Sequence, residues 1–282
     1  MDYRDKVVIV TGASSGIGRE AAKEFARRGA IVVAVARREK LLQDLIGECR
    51  VRSPSSTYLA GDLAERSFAE RIVEDTVSRF QRLDILINNA AVSKHKQIYH
   101  TTAEEADFVM RVNFMSCVWT TFAAIPHMLR QGGGTIVNIS SFAAKVTPPR
   151  EPLYAASKAA MNSFTEGLWI DLVGSNIHAA VINPGAIDTE IWDKEDEPIA
   201  SPGKKYPPSV VVDAIFEAIE KRRFEMMAPK RDLQLMAARF LRLMFPKLLR
   251  FGMAQHEPVP IEVVEKARAR ASKGKRLGDL SE

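Results

Sequence analysis

Two textures of apolar residues alternate along the first four-fifths of the chain. Short β-branched runs recur at Val7-Val8-Ile9-Val10 and again at 31–36, 57–60, 85–87, 135–139, 177–182 and 225–227. The first run contains no polar residue, the pattern of a strand covered on both sheet faces. Between the runs lie longer stretches with apolar positions at helical spacing, such as Ala21, Ala22, Phe25 and Ala26 within 19–28. Thr102 and Glu105 form a capping box ahead of a long helix that holds Phe108, Val112 and Trp119. Strict alternation of strand and helix predicts right-handed βαβ units, hence an α/β fold with a doubly wound parallel sheet of about seven strands and helices on both faces. The alternation is interrupted at 193–208, a charged and proline-rich segment at the carboxyl end of the sheet, which reads as a substrate loop or lid or as a plain surface loop.

The turn after the first strand is Thr11-Gly12-Ala13-Ser14-Ser15-Gly16-Ile17-Gly18. A strand, a glycine turn and a helix in direct succession place unpaired N–H groups and the positive end of a helix dipole at one point, a seat for a pyrophosphate. A dinucleotide site in a Rossmann-type sheet is therefore expected there. An acid about twenty residues further on normally holds the adenosine ribose, whereas an arginine accommodates a 2′-phosphate. Here the second strand ends Ala36-Arg37-Arg38, with two guanidiniums and no carboxylate. NADP(H) is expected ahead of NAD(H). Asp62, directly after the third strand, is placed either to accept from an adenine amino group or to cap the next helix.

Tyr154-Ala155-Ala156-Ser157-Lys158 supplies the chemistry. Residues four apart on a helix share a face, so the phenol and the ammonium meet over one site, and an adjacent cation favours the phenolate. Thirteen residues earlier, Ser140 and Ser141 end the fifth strand, whose carboxyl end opens on the same crevice.

With these residues the chain resembles the classical short-chain dehydrogenase/reductases over roughly 4–230. Thr11-Gly-x-x-x-Gly16-x-Gly18 matches the glycine motif of that family. Asn88-Asn89-Ala90-Ala91 matches its Asn-Asn-Ala-Gly motif except for the methyl of Ala91. The resemblance implies that Tyr154 is the general acid/base, that Lys158 holds the nicotinamide ribose and tunes Tyr154, and that Ser141 positions the substrate oxygen, with Ser140 its rival. It implies a proton-relay role for Asn113, which also fits an asparagine that satisfies a helix distortion. Cofactor contacts are implied for Gly12, Ser14, Ser15, Gly16, Ile17, Gly18, Leu63, Asn89 and Ala90, and for Pro184, Gly185, Ile187 and Thr189 around the carboxamide. Ser93, Phe142, Leu153 and Trp192 are the expected substrate-pocket residues. The implied reaction is NADPH-dependent reduction of a ketone or aldehyde, or the reverse oxidation of a secondary alcohol, with transfer of the pro-S hydride. An NAD-dependent alcohol or hydroxysteroid dehydrogenase is the alternative, and a non-catalytic NADP(H)-binding or lipid-docking protein is a rival of another class. A homodimer or homotetramer is implied as well.

Beyond Pro229 the family pattern stops, which predicts a catalytic domain over 1–229 and a helical extension with a charged tail over 230–282. Residues 231–253 read as a basic amphipathic helix pair broken at Pro246. Arg231, Asp232, Arg239, Arg242, Lys247 and Arg250 fall on one side; Leu233, Phe240, Leu241, Met244, Phe245, Leu248 and Phe251 cover much of the other. The leading expectation is that this pair walls the substrate cleft or a partner subunit. Peripheral contact with an anionic membrane and a simple core cap are the alternatives. Similar members with such tails act on membrane-derived lipids or steroids, which implies an apolar substrate.

Composition narrows the picture little. Of 282 residues 46% are apolar, and no apolar run approaches the ~18 residues of a membrane span. Strand-like sequence begins at Lys6, so no signal peptide is expected, and two cysteines, Cys49 and Cys117, are too few for a disulfide framework. A reducing, cytoplasmic setting is expected, with Cys117 as core filling. No metal site and no nucleic-acid partner are expected.

Overall fold

The computed structural model describes residues 2–194, 203–254 and 259–271. The chain runs β1 (Val7–Thr11), α1 (Gly16–Arg27), β2 (Ile31–Ala36), α2 (Glu39–Arg50), β3 (Thr57–Ala60), α3 (Arg66–Phe80) and β4 (Ile85–Asn88). Then follow α4 (Ala103–Met110), α5 (Ser116–Arg130), β5 (Gly134–Ile139), α6 (Pro152–Asp171), β6 (Ile177–Pro184), α7 (Ser209–Glu220) and β7 (Glu225–Ala228). The extension adds α8 (Leu233–Met244), α9 (Pro246–Ala254) and α10 (Ile261–Ala271). Much of the expected lid, 195–202, and the end of the charged tail lie outside the described residues.

All seven strands are parallel, in the order β3-β2-β1-β4-β5-β6-β7. The expected Rossmann-type α/β sheet is present. Its order reverses between β1 and β4, which pair directly through Val8 with Ile85 and Val10 with Ile87. Loops leaving two adjacent strands in opposite directions open a crevice at their carboxyl ends. One sheet face is covered by α1, α2 and α7, with Phe25, Leu42, Ile46, Ile215 and Phe216 in the core; α3 and α5 cover the other with Phe68, Ile72, Val73, Ala124 and Met128.

The long helix expected around Phe108 to Trp119 is divided by a π-helical turn, Arg111–Met115, between α4 and α5. Asn113 explains the wider turn, because its amide reaches out of the helix to pair with the backbone of Val92. The Thr102–Glu105 capping box is formed in full. Taken together, Ala103–Arg130 is long and apolar enough by composition to cross a membrane, yet over half of its most apolar stretch is buried, as befits a helix under a sheet.

The break at Pro246 also stands, but α8 carries more apolar surface than a single stripe. Leu235, Ala238 and Leu241 are its half-buried positions, whereas Leu233, Met236, Phe240, Leu243 and Met244 are all exposed. Its root is fixed by Leu235 against Gly185 and by Asp232, which accepts from the Tyr206 hydroxyl at 2.6 Å. Neither α8 nor α9 has a buried residue, so the pair does not cap the core.

Candidate active site

The crevice above β1 and β4 is a cavity of about 550 Å³. Its floor is the glycine turn. Gly12 adopts φ +66°, and a side chain there would also meet Ala90 Cα at 2.8 Å. At Gly18 the constraint is space: a Cβ would stand 2.4 Å from Gly12 O and 2.5 Å from Asn89 Nδ2. The turn is tied to β4 by Asn89, whose Nδ2 donates to Thr11 O at 2.9 Å, and by Thr11 Oγ1, which accepts from the Asn89 and Ala90 N–H groups at 2.9 and 3.0 Å. The backbone is thus held close enough for a phosphate to approach the start of α1. This cradle, which a Cβ would fill, fits a dinucleotide.

At one end of the cavity stand Arg37, Arg38 and Asp62. Arg38 crosses the glycine turn, donating to Ser14 Oγ at 2.9 Å and Ser15 Oγ at 2.7 Å, and pairs with Glu190 at 2.7 Å. Arg37 lies 3.8 Å from Asp62 and is more exposed. One oxygen of Asp62 accepts from Ala64 N–H at 2.9 Å, while the N-cap of α3 is Glu65. Asp62 therefore shapes the turn rather than capping the helix.

Tyr154 and Lys158 line the other end. Lys158 Nζ lies 5.8 Å from the centre of the Tyr154 ring and donates to Ile139 O at 2.9 Å. The side chain is fully buried, and desolvation pulls the ammonium down from its usual range to about 8. The two serines separate clearly. Ser140 lines the cavity, but its hydroxyl proton is committed to Lys158 O at 3.0 Å. Ser141 begins the short 3₁₀ turn Phe142–Ala144, where its Oγ accepts from Ala143 N–H at 3.1 Å and keeps its own proton to donate.

Asn113 is buried and its side chain does not face the cavity. Its Oδ1 accepts from Val92 N–H at 2.8 Å, and Nδ2 donates to Val92 O at 3.0 Å and Ser157 Oγ at 3.1 Å. Ser157 in turn donates to Tyr154 O at 2.7 Å. A chain of hydrogen bonds therefore joins the loop after β4, the π turn and the first turns of α6.

The structure gathers Gly12, Ser14, Ser15, Gly16, Ile17, Arg37, Arg38, Asp62, Leu63, Asn89, Ala90, Tyr154, Lys158 and Thr189 around one cavity. Gly18, Asn113, Ser141, Pro184, Gly185 and Ile187 do not line it: Gly18 packs behind Gly12 and Asn89, and the last three lie at or just beyond the end of β6, ahead of Thr189, which does line it. Of the expected pocket residues only Ser93 lines it; Phe142, Leu153 and Trp192 do not. Trp192 is drawn away because its indole N–H donates to Ile187 O at 2.6 Å. No residue of α8 or α9 lines the cavity, so the expected cleft wall is not built by this helix pair.

A family model described as short chain dehydrogenase matches residues 6–200. The chain belongs to the short-chain dehydrogenase family. An 11-beta-hydroxysteroid dehydrogenase 1A of Arabidopsis thaliana is 43% identical over 190 residues, which cover 66% of this chain and 53% of that protein. The chain thus spans about half the length of such curated relatives. Among solved structures, a short chain dehydrogenase/reductase from Burkholderia phymatum in complex with NAD superposes with a TM-score of 0.80 at 26% identity, covering 92% of this chain and 98% of that one. L-sorbose reductase from Gluconobacter frateurii, complexed with NADPH and L-sorbose, gives 0.69 at 27% identity over 77% and 91% of the two chains.

Several residues of this short-chain dehydrogenase site escaped the sequence reading. Phe108, Val109 and Val112 form an apolar wall from α4 and the π turn. Glu190 is the carboxylate partner of Arg38. His95 and Glu151, both nearly buried and 3.4 Å apart, staple the loop after β4 to the start of α6, beside a Lys96 N–H to Arg150 O bond of 2.8 Å. Only a pairing between distant segments reveals them.

Proposed function

We propose that this protein is an NADPH-dependent carbonyl reductase and secondary-alcohol dehydrogenase, an oxidoreductase acting on an apolar ketone, aldehyde or alcohol. The observation that carries the reading is the placement of Tyr154 and Lys158 in the same cavity as the glycine turn and the two arginines. The cofactor, when bound, supplies or accepts the hydride. Gly12, Ser14, Ser15, Gly16 and Ile17 would hold its pyrophosphate, Arg37 and Arg38 a 2′-phosphate, and Thr189 with the Pro184-Gly185-Ile187 segment its carboxamide.

In reduction the Tyr154 hydroxyl gives its proton to the substrate oxygen; in oxidation the phenolate takes it back. Lys158 favours that phenolate by its charge and has further N–H donors for ribose hydroxyls. Ser141 donates its proton to the substrate oxygen and orients it. Asn113 is a positioning residue, because its amide is spent on Val92 and Ser157.

NADP(H) is favoured over NAD(H) because Ala36 offers no carboxylate where Arg37 and Arg38 follow. The bound NAD of the Burkholderia structure is the specific reason to keep NADH in every assay. An apolar substrate is supported by the Phe108, Val109 and Val112 wall and by the likeness to proteins called hydroxysteroid dehydrogenases. A homodimer or homotetramer is supported by the exposed Phe122 and Leu129 on α5 and Trp169 and Ile170 on α6. Both cysteines are free and buried, in keeping with a reducing compartment.

The test is NADPH oxidation across a panel of carbonyl compounds, followed by absorbance. Tyr154→Phe should lower kcat by about 10²–10⁴-fold with NADPH affinity unchanged, since general acid–base catalysis contributes that much. Retention of more than a tenth of the wild-type rate, with chemistry limiting, would remove Tyr154 from its role. Tight NADPH binding without turnover on any substrate would favour the non-catalytic reading.

A further inference from the structure

The α8–α9 pair carries an apolar face that no other described residue covers. Leu233, Met236, Phe240, Leu243, Met244, Phe245, Leu248 and Phe251 are each more than half exposed. On α8 the exposed set recurs at helical spacing, and the half-buried Leu235, Ala238 and Leu241 point the other way. The helix is therefore apolar toward the protein and apolar again toward the outside. A contiguous face of this size on a protein surface marks an interaction site.

Charge identifies the occupant. Over 231–254 the pair carries Arg231, Arg239, Arg242, Lys247 and Arg250 against Asp232, whose carboxylate is engaged with Tyr206. That is a net charge of four within a chain whose total is +5, so the rest of the protein is close to neutral. All five cations are exposed. On α9, Lys247 and Arg250 border one edge of an arc formed by Phe251 and Leu248. A second copy of this face would bring five cations against five, which disfavours a homotypic contact. Large apolar side chains bordered by lysine and arginine on short helices are the composition of elements that lie in a lipid interface.

We propose that the α8–α9 pair docks this protein on an anionic bilayer, with its leucine, methionine and phenylalanine face in the acyl boundary and its arginines and lysines among lipid phosphates. The root of the pair, through Asp232 to Tyr206 and Leu235 to Gly185, is joined to the β6 end and to the Ile187–Tyr206 bridge beside the cavity. A docked protein would thus hold Tyr206 and the end of β6 near the lipid surface.

The probe is full-length protein sedimented with vesicles of phosphatidylcholine alone or with a third phosphatidylserine. Partitioning onto the anionic vesicles is expected to exceed that onto neutral ones by at least tenfold and to fall as salt screens the headgroups. Replacing Phe240, Leu248 and Phe251 together by serine should reduce it at least tenfold with an unchanged circular dichroism spectrum, because these side chains are exposed. A single Phe245→Trp variant gives an independent reading: its emission should shift to the blue and be quenched by brominated acyl chains. Equal partitioning onto both vesicles, or an unshifted Trp emission, would overturn the proposal. Absence of vesicle binding with an oligomer that the triple variant dissociates would assign the face to a second copy. Absence of both would leave an acidic protein partner and equally defeat the lipid assignment.

Discussion

Replacing Lys158 by methionine should reveal how strongly the fold opposes its own ammonium. The side chain is fully buried, with Ile139 O at 2.9 Å as its hydrogen-bond acceptor, and burial lowers its pKa from 10.5 to about 8. That shift corresponds to about 3 kcal/mol, at 1.36 kcal/mol per unit. Complete burial leaves no solvent screening to discount. Because the native pKa lies below the unfolded one, the unfolded chain holds one more proton between pH 8 and 10.5, and stability rises with pH across that window. Below pH 8 both states are charged and the penalty is complete; above 10.5 both are neutral and it vanishes. Lys158→Met also strands the Ile139 carbonyl at about 1–3 kcal/mol, but that loss does not vary with pH and drops out of the slope. Urea unfolding of both cofactor-free proteins at pH 7.5, 9 and 10.5 isolates the effect, since other titrating groups cancel in the difference. Wild type should gain about 3 kcal/mol on the variant over the range. A difference that stays flat within about 1 kcal/mol, or falls with pH, would refute the burial argument.

Two further outcomes bear on the site. Changing Ala36 to Asp together with Arg37 to Ser should move the ratio of kcat/KM for NADPH over NADH by one to two orders of magnitude, since a charged hydrogen bond contributes about 1.5–3 kcal/mol; a wild type that already prefers NADH would contradict the reading of β2. Ser141→Ala should cut kcat by about 10²-fold or more, whereas Ser140→Ala should cost about 1 kcal/mol of stability through the lost bond to Lys158 O and leave kcat within a few-fold. The reverse pattern in steady-state kinetics and thermal melts would transfer the role to Ser140.

The strands, the capping box and the glycine turn were legible because each depends on neighbours within a few residues. The π turn was signalled only by the reading of Asn113 as an asparagine that satisfies a helix distortion, and no local periodicity shows it, because Asn113 finds its partners 21 and 44 residues away at Val92 and Ser157. The Arg38–Glu190 contact spans 152 positions, and no local pattern announces it. Trp192 looked like a pocket residue until its indole found the Ile187 carbonyl. On α8 the periodicity showed an apolar side but could not show that Leu241 turns inward while Phe240 and Met244 turn out. Ser140 and Ser141 are adjacent at a strand end, where side chains alternate, so only their hydrogen bonds tell them apart.

Parallel pairing throughout the sheet has a consequence for how the chain reaches its native state. No two neighbouring strands are joined by a hairpin, and the β1–β4 pairing that creates the nucleotide seat joins Val8 to Ile85 across 77 positions. Until that long loop closes, both strands expose unpaired apolar edges, and topologies dominated by such distant contacts fold slowly. A nucleotide can bind only after closure. At a free concentration a hundred times its Kd it would add about 2.7 kcal/mol to the folded state. The cofactor pool of the cell is then a determinant of how much of this chain survives synthesis and heat.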